Sequence, residues 1–166
     1  MQRVCRHFWV SGLRSSGGNK KYYTMKSKAS QIIDAMMEKD HFSQWLGIVR
    51  LEEREGYCRL QMTVRPEMCN GFGIAHGGIT FSLADSALAF ASNSRGQHAV
   101  SIETSISHIR PLQADDGIIA TAEEKSLGNR VAIYEVRIER TTGELVALFK
   151  GTVYRKQQDW DLNSEA

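Results

Sequence analysis

The sequence predicts an α+β domain in which one long, apolar central helix is wrapped by a curved antiparallel β-sheet. Three observations carry this. The stretch from Gly71 to Ser94, GFGIAHGGITFSLADSALAFASNS, holds one carboxylate, one imidazole and no Lys or Arg, with no Pro or Gly from Ile79 onward. A helix apolar on nearly every side is a buried helix. The segments around it alternate apolar and polar residues, the signature of half-buried strands. Those that follow it are joined by short turns, which favour antiparallel pairing. A sheet wrapped around one helix in this way leaves its edge strands exposed, so a dimer with a continuous sheet is expected.

In chain order, the segment from Ser30, SQIIDAMMEKDHFSQWLG, places Ile32, Ile33, Met36 and Met37 on one face of a helix that Gly47 can end. A strand over Ile48–Glu53 and a turn at Gly56 follow. In YCRLQMTVR, Cys58, Leu60, Met62 and Val64 alternate with Tyr57, Arg59, Gln61 and Thr63, a strand that Pro66 terminates. After the central helix come strands over Val100–Ile109, Gly117–Ser126, Val131–Arg140 and Glu144–Lys156, with turns at Leu127-Gly128-Asn129 and Thr142-Gly143. The expected organisation is a basic leader over 1–28, one domain over 29–156 and a C-terminal tail over 157–166.

Composition narrows the function. The 166 residues carry 42% hydrophobic side chains and only two prolines, enough for one folded domain and unlike a disordered chain. Residues 1–33 hold seven basic residues and no acid, so from Asp34 onward 14 basic face 19 acidic residues, a net of −5. A mildly acidic body removes the simplest argument for nucleic-acid binding. The apolar runs are too short to span a membrane. Cys5, Cys58 and Cys69 are odd in number and lack CxxC spacing, which gives neither a disulfide framework nor a zinc site. A reducing, cytoplasmic setting is expected. The Arg- and Ser-rich leader also has the composition of a mitochondrial transit peptide, which would place the protein in the matrix. Alternatively, Met25 just ahead of the first helix makes the leader an extended start.

Asp85 is the residue that points to chemistry. Burying an ionised carboxylate without partners costs several kcal/mol or raises its pKa. Upstream of it stand Asn70-Gly71 and His76-Gly77-Gly78, the latter where the helix should begin. Free backbone N–H groups and the positive end of the helix dipole converge there. Gly77 and Gly78 let a ligand approach the backbone, and such a terminus can stabilise an oxyanion. Read singly, each piece is ordinary: Asp85 could cap a neighbouring loop, and His76 could be a hydrogen-bonded loop histidine.

Together, N-G-x4-H-G-G-x5-A-D, the continuation LADSALAFASNS and the later SHIRP resemble the hotdog-fold acyl-CoA thioesterases of the phenylacetyl-CoA (PaaI-like) group, over roughly Ile32 to Arg155. The resemblance implies hydrolysis of acyl-CoA, aryl-acetyl or medium-chain, to free acid and CoA, with no metal or cofactor. It implies that Asp85 acts as general base or nucleophile and that the Gly77 amide holds the thioester carbonyl oxygen. Asn70 would polarise or orient that carbonyl or the water, and His76 would order the loop and the acyl carbonyl. Ser101, on the following strand, lies near the position that holds the water. The implied site straddles a dimer interface, Asp85 from one chain and Asn70 and Gly77 from the other, in a homodimer or a dimer of dimers. For the CoA phosphates, Arg110 before Pro111 is the leading candidate because a guanidinium suits a phosphate, with Gly128, Asn129, Arg130 and Arg155 behind it. Phe81, Leu83 and Leu88 are candidates for the acyl pocket and equally for the core. His41, His98 and His108 have no metal-like spacing and are expected at surface or strand positions. Two rival functions remain, a hotdog hydratase or dehydratase and a non-catalytic acyl-CoA-binding protein. The first needs an Asp/His or Glu/His dyad that H-G-G followed by A-D does not reproduce.

Overall fold

The computed structural model of the chain describes residues 26–162. The expected leader, apart from its last three residues, and the last four residues of the expected tail lie outside them. Helix α1, Lys28–Lys39, starts at an N-cap Ser27 whose hydroxyl accepts the Ser30 N–H. Helix α2, His41–Leu46, follows at once. The single helix expected from the apolar spacing is therefore broken, and Asp40 breaks it. Its carboxylate accepts from the Ser43 N–H at 2.9 Å and the Ser43 hydroxyl at 2.6 Å, starting a second helix with an N-cap of its own.

Strands β1 (Val49–Arg54) and β2 (Tyr57–Thr63) lead through a 3-10 turn, Pro66–Met68, to the central helix α3, Gly77–Asn93. Strands β3 (Gln97–His108), β4 (Gly117–Leu127), β5 (Val131–Arg140) and β6 (Leu145–Asp159) complete the chain. All pairings are antiparallel, in the order β1-β2-β4-β5-β6-β3. The alternation in β2 is borne out from Cys58 to Thr63, with Cys58, Leu60 and Met62 buried; Tyr57, expected on the other face, is buried as well.

The sheet curls around α3, whose Leu83, Ala84, Ala87, Leu88, Phe90 and Ala91 pack against Leu60, Ile118, Ala120, Val136, Phe149 and their neighbours. Gly151 on β6 allows the closest approach, because a side chain there would run into Leu88. No described helix is long and apolar enough to cross a membrane.

Two expected strand boundaries move by three residues. Strand β3 begins at Gln97 rather than Val100, because Asn93 at the end of α3 extends the ladder. Its side chain accepts from the Ala99 N–H and donates to the Ala99 carbonyl, both at 3.0 Å. Strand β6 also runs past its expected end at residue 156. Strand β6 continues to Asp159, opposite Gln97, and the Trp160 indole donates to Asn93 at 3.0 Å while stacking on His98. The C-terminal segment is thus bonded to the end of the central helix.

Strands β1 and β3 are the sheet edges. On β3, Val100 is 43% and Ile102 58% exposed, two apolar side chains on a long strand with an unpaired side. Such an edge is a template for pairing with another chain.

Candidate active site

Between the 3-10 turn and α3 the chain makes a tight loop. Cys69 and Ala75 pair as an isolated bridge, and the Asn70 N–H donates to the Ile74 carbonyl at 2.8 Å. The Asn70 side-chain oxygen accepts from the Phe72 N–H at 2.9 Å. Because that oxygen is committed to the loop backbone, the Asn70 NH2 group is the end left to donate, and no group among the described residues accepts from it. The His76 N–H bonds the Met68 carbonyl and the Ala75 N–H the Leu112 carbonyl, which fixes the entry of the chain into α3.

His76 is the N-cap of α3, and its Nδ1 accepts the Gly78 N–H at 3.1 Å. An imidazole that accepts at Nδ1 carries its proton on Nε2. Thr80 donates its hydroxyl to the Gly77 carbonyl at 2.9 Å, and His108 Nε2 lies 2.7 Å from that hydroxyl oxygen. The Gly77 N–H, one of the orphan donors of a helix start, bonds to nothing among the described residues. Gly77 borders a cavity of about 360 Å³ whose walls also include Asn70, Thr80, His108 and Arg110. The two residues that carry these free donors, Asn70 and Gly77, therefore border one cavity.

Asp85 lies elsewhere. It is half-buried and lines a second cavity of about 210 Å³ with Leu88, Ala89, Ser92, Val100 and Ser101. The two cavities share no lining residue. Eight residues of helix separate Gly77 from Asp85, about 12 Å along the axis at ~1.5 Å per residue. No hydrogen bond or ion pair reaches the Asp85 carboxylate among the described residues. Burial alone pushes its pKa above the ordinary aspartate value, since nothing compensates the lost hydration of the charged form.

The expected phosphate ligands divide between the two ends. Arg110 lines the larger cavity, but its guanidinium is committed: Nε pairs with Glu144 at 2.9 Å and Nη1 donates to the Leu145 carbonyl at 2.7 Å. Gly128, Asn129, Arg130 and Arg155 form a separate corner. Arg155 donates to the Gly128 carbonyl at 2.9 Å, Arg130 to the Tyr154 hydroxyl at 2.6 Å and Gln157 to Asn129 at 3.3 Å. Because Tyr154 and Arg155 pair with Val100 and Ala99, this corner adjoins the Asp85 cavity.

Of the expected acyl-pocket residues, Leu83 belongs to the core and Phe81 packs edge-on against Phe149 at 5.4 Å. Leu88 reaches the wall of the Asp85 cavity while remaining buried. His108, expected at a surface or strand position, is the last residue of β3 and also lines the larger cavity with Thr80, which spacing does not single out. Among the described residues no group of three or more His, Cys, Asp or Glu side chains is placed to hold a metal ion.

This arrangement has relatives. The acyl-coenzyme A thioesterase PaaI of Escherichia coli K12 is 40% identical over 131 residues, which cover 79% of this chain and 94% of the relative. Its solved structure superposes with a TM-score of 0.78 at 39% identity, covering 80% of this chain and 96% of that one. The thioesterase superfamily profile matches residues 72–147. This chain belongs to the PaaI-like hotdog thioesterases. The human acyl-coenzyme A thioesterase 13 is 30% identical over 128 residues, covering 75% of this chain and 91% of that relative. A mutant of the phenylacetic acid degradation protein PaaI from Thermus thermophilus superposes with a TM-score of 0.68 at 41% identity, covering 70% and 99% of the two chains. Membership makes this PaaI-like protein a thioester hydrolase, and its α+β architecture is the hotdog fold. Both expectations drawn from the Asn70-to-Asp85 motif are borne out.

Proposed function

We propose that this PaaI-like thioesterase hydrolyses acyl-CoA to free acid and CoA, on aryl-acetyl or medium-chain acyl groups, in a site shared between two protomers. The observation that carries the shared site is the separation of its halves. Within one chain the free donors at Asn70 and Gly77 and the desolvated Asp85 carboxylate lie in different cavities, too far apart to act on one carbonyl. Pairing through the exposed β3 edge would bring the Asp85 cavity of one protomer against the partner's Gly77. The homodimer is the minimal active unit, and a dimer of dimers holds the same sites. The aryl-acetyl class is favoured by the E. coli relative, whose protein comes from the phenylacetic acid degradation operon.

In this site the thioester carbonyl oxygen accepts from the partner's Gly77 N–H and from the partner's Asn70 amide. Asp85 takes a proton from water as the water oxygen bonds to the carbonyl carbon; the oxyanion collapses, the C–S bond breaks, and the CoA thiolate leaves with that proton. A thioester is already activated, so an oxyanion donor and a base suffice. Ser101, which lines the Asp85 cavity, holds the water in this scheme. Were Asp85 instead the nucleophile, an acid anhydride with the enzyme would form, and single-turnover hydrolysis in oxygen-18 water would label the Asp85 carboxylate. The Gly128–Arg155 corner on the Asp85 side supplies the cations for the CoA phosphates, with Gly78 at the approach to the thioester.

Complementation tests the shared site. Asp85→Asn and Asn70→Ala chains are each impaired, but co-refolded at equal concentration they form hybrids with one intact site. Thiol release from phenylacetyl-CoA should then recover to about a quarter of the wild-type rate, the statistical yield for a two-fold dimer. Recovery no greater than the mean of the parents would place the whole site within one chain and sink the proposal. Faster hydration of an enoyl-CoA than cleavage of any thioester would move the protein to the hydratase class.

A further inference from the structure

The Gly77–Gly78 start of α3 carries no side chain of its own to hold it, and three neighbouring side chains do so. His76 takes the Gly78 N–H, Thr80 donates to the Gly77 carbonyl, and His108, at the far end of β3, closes the group. Thr80 has one hydroxyl proton, and the Gly77 carbonyl at 2.9 Å takes it. The assignment in which the hydroxyl oxygen accepts from His108 Nε2 at 2.7 Å, with the imidazole proton on Nε2, satisfies both Thr80 contacts. The same Nε2 lies 3.3 Å from the Gly77 carbonyl. The ring also fills the space beside Gly77: a Cβ there would come within 3.1 Å of His108 Cε1 and 3.3 Å of Nε2. Of the polar backbone groups on Gly77, the N–H at the cavity is the one with no partner among the described residues.

We propose that His108 is a positioning residue for hydrolysis, its Nε2–H holding Thr80 and the Gly77 carbonyl so that the Gly77 N–H stays aimed at the thioester oxygen. The inference rests on the reading of Gly77 as the oxyanion donor. Donors aimed in advance at developing charge stabilise it without reorganising, and a small misplacement of such a donor lowers turnover without weakening ground-state binding. His108 does not touch the reacting atoms in this scheme. Its position at the end of β3, the edge strand proposed to pair with the partner, ties the oxyanion donor mechanically to the strand that pairs the protomers.

Isotope-edited infrared spectroscopy separates the proposal from the reading beneath it. The probe is phenylacetyl-CoA labelled with carbon-13 at the thioester carbonyl, bound to the slow Asp85→Asn protein. The expected result is a carbonyl stretch shifted to lower wavenumber than in solution, with most of that shift lost in Asp85→Asn/His108→Phe and retained in Asp85→Asn/His108→Gln. Phenylalanine keeps a ring beside Gly77 without the N–H, whereas glutamine keeps an N–H donor. In the wild-type background, His108→Phe should lower kcat roughly tenfold with KM and melting temperature unchanged, and His108→Gln should recover most of it. A shift that survives His108→Phe overturns the proposal while leaving Gly77 as the donor. Absence of any shift in Asp85→Asn alone removes the oxyanion reading, and the proposal with it.

Discussion

The two halves of the candidate site are held in opposite ways. At the start of α3, side chains hold the Gly78 N–H and the Gly77 carbonyl, and among the described residues the Gly77 N–H has no partner. Two turns further along, Asp85 has no polar partner among the described residues, and burial alone sets its character. The donor end is ready because its geometry is fixed. The base end is ready because its solvation is incomplete. An oxyanion donor gains from rigidity, while a carboxylate base gains from a raised pKa. One helix supplies both by crossing from a capped, glycine-rich terminus into an apolar middle.

The largest effect should come from separating the halves. Ile102→Lys puts a cation on the exposed apolar edge of β3. Like charges would then face each other across the proposed pairing. The expected outcome is a monomer by analytical ultracentrifugation, with thiol release at background and near-unchanged circular dichroism. A folded, active monomer would show that the two cavities need not meet.

Next is Asp85→Asn, which leaves the donor end untouched. Turnover should fall by about a hundredfold or more with CoA binding kept. The same change should stabilise the fold. A carboxylate whose folded pKa lies above its unfolded value favours folding only when protonated, so at neutral pH, above both values, the charged Asp85 costs stability. That cost disappears as pH falls through the raised folded pKa. The Asn variant should therefore melt higher than wild type at neutral pH, with the gap closing toward acid, while the acid limb of wild-type kcat lies above the ordinary aspartate range. A lower melting temperature for the variant at neutral pH would mean that a partner in the dimer satisfies the carboxylate.

The sequence exposes these halves unequally. The fold and the motif were legible because both rest on local signals. Alternation in Cys58–Val64 marks a strand, and the apolar run after Gly78 marks a buried helix. The solitary charge of Asp85 within that run marks a site. What escaped depends on side chains that find distant backbone. The break at Asp40 comes from a carboxylate competing for the Ser43 N–H, and apolar spacing is blind to it. Strand β3 starts early because Asn93 bonds Ala99, and the chain beyond residue 156 is held because Trp160 reaches Asn93. Arg110 reads as a free cation until Glu144 is found beside it. His108 escaped because an exposed polar residue at a strand end has no periodicity, and its partner Thr80 lies 28 positions away.

The smallest of these effects tests the capped end alone. His76→Ala removes the acceptor for the Gly78 N–H. Loss of a side-chain N-cap costs about 1 kcal/mol, so the denaturant midpoint should fall modestly with the m-value unchanged. The two remaining supports, Thr80 and His108, act on the Gly77 carbonyl rather than on the Gly78 N–H, so the helix start should loosen without unwinding. Turnover should drop by less than in Asp85→Asn, with the acid limb of its pH profile unmoved, because Asp85 lies two turns away in a separate cavity. A shift of that limb in His76→Ala would show that the capped terminus and the desolvated carboxylate are electrostatically coupled, and the division of labour along α3 would have to be redrawn.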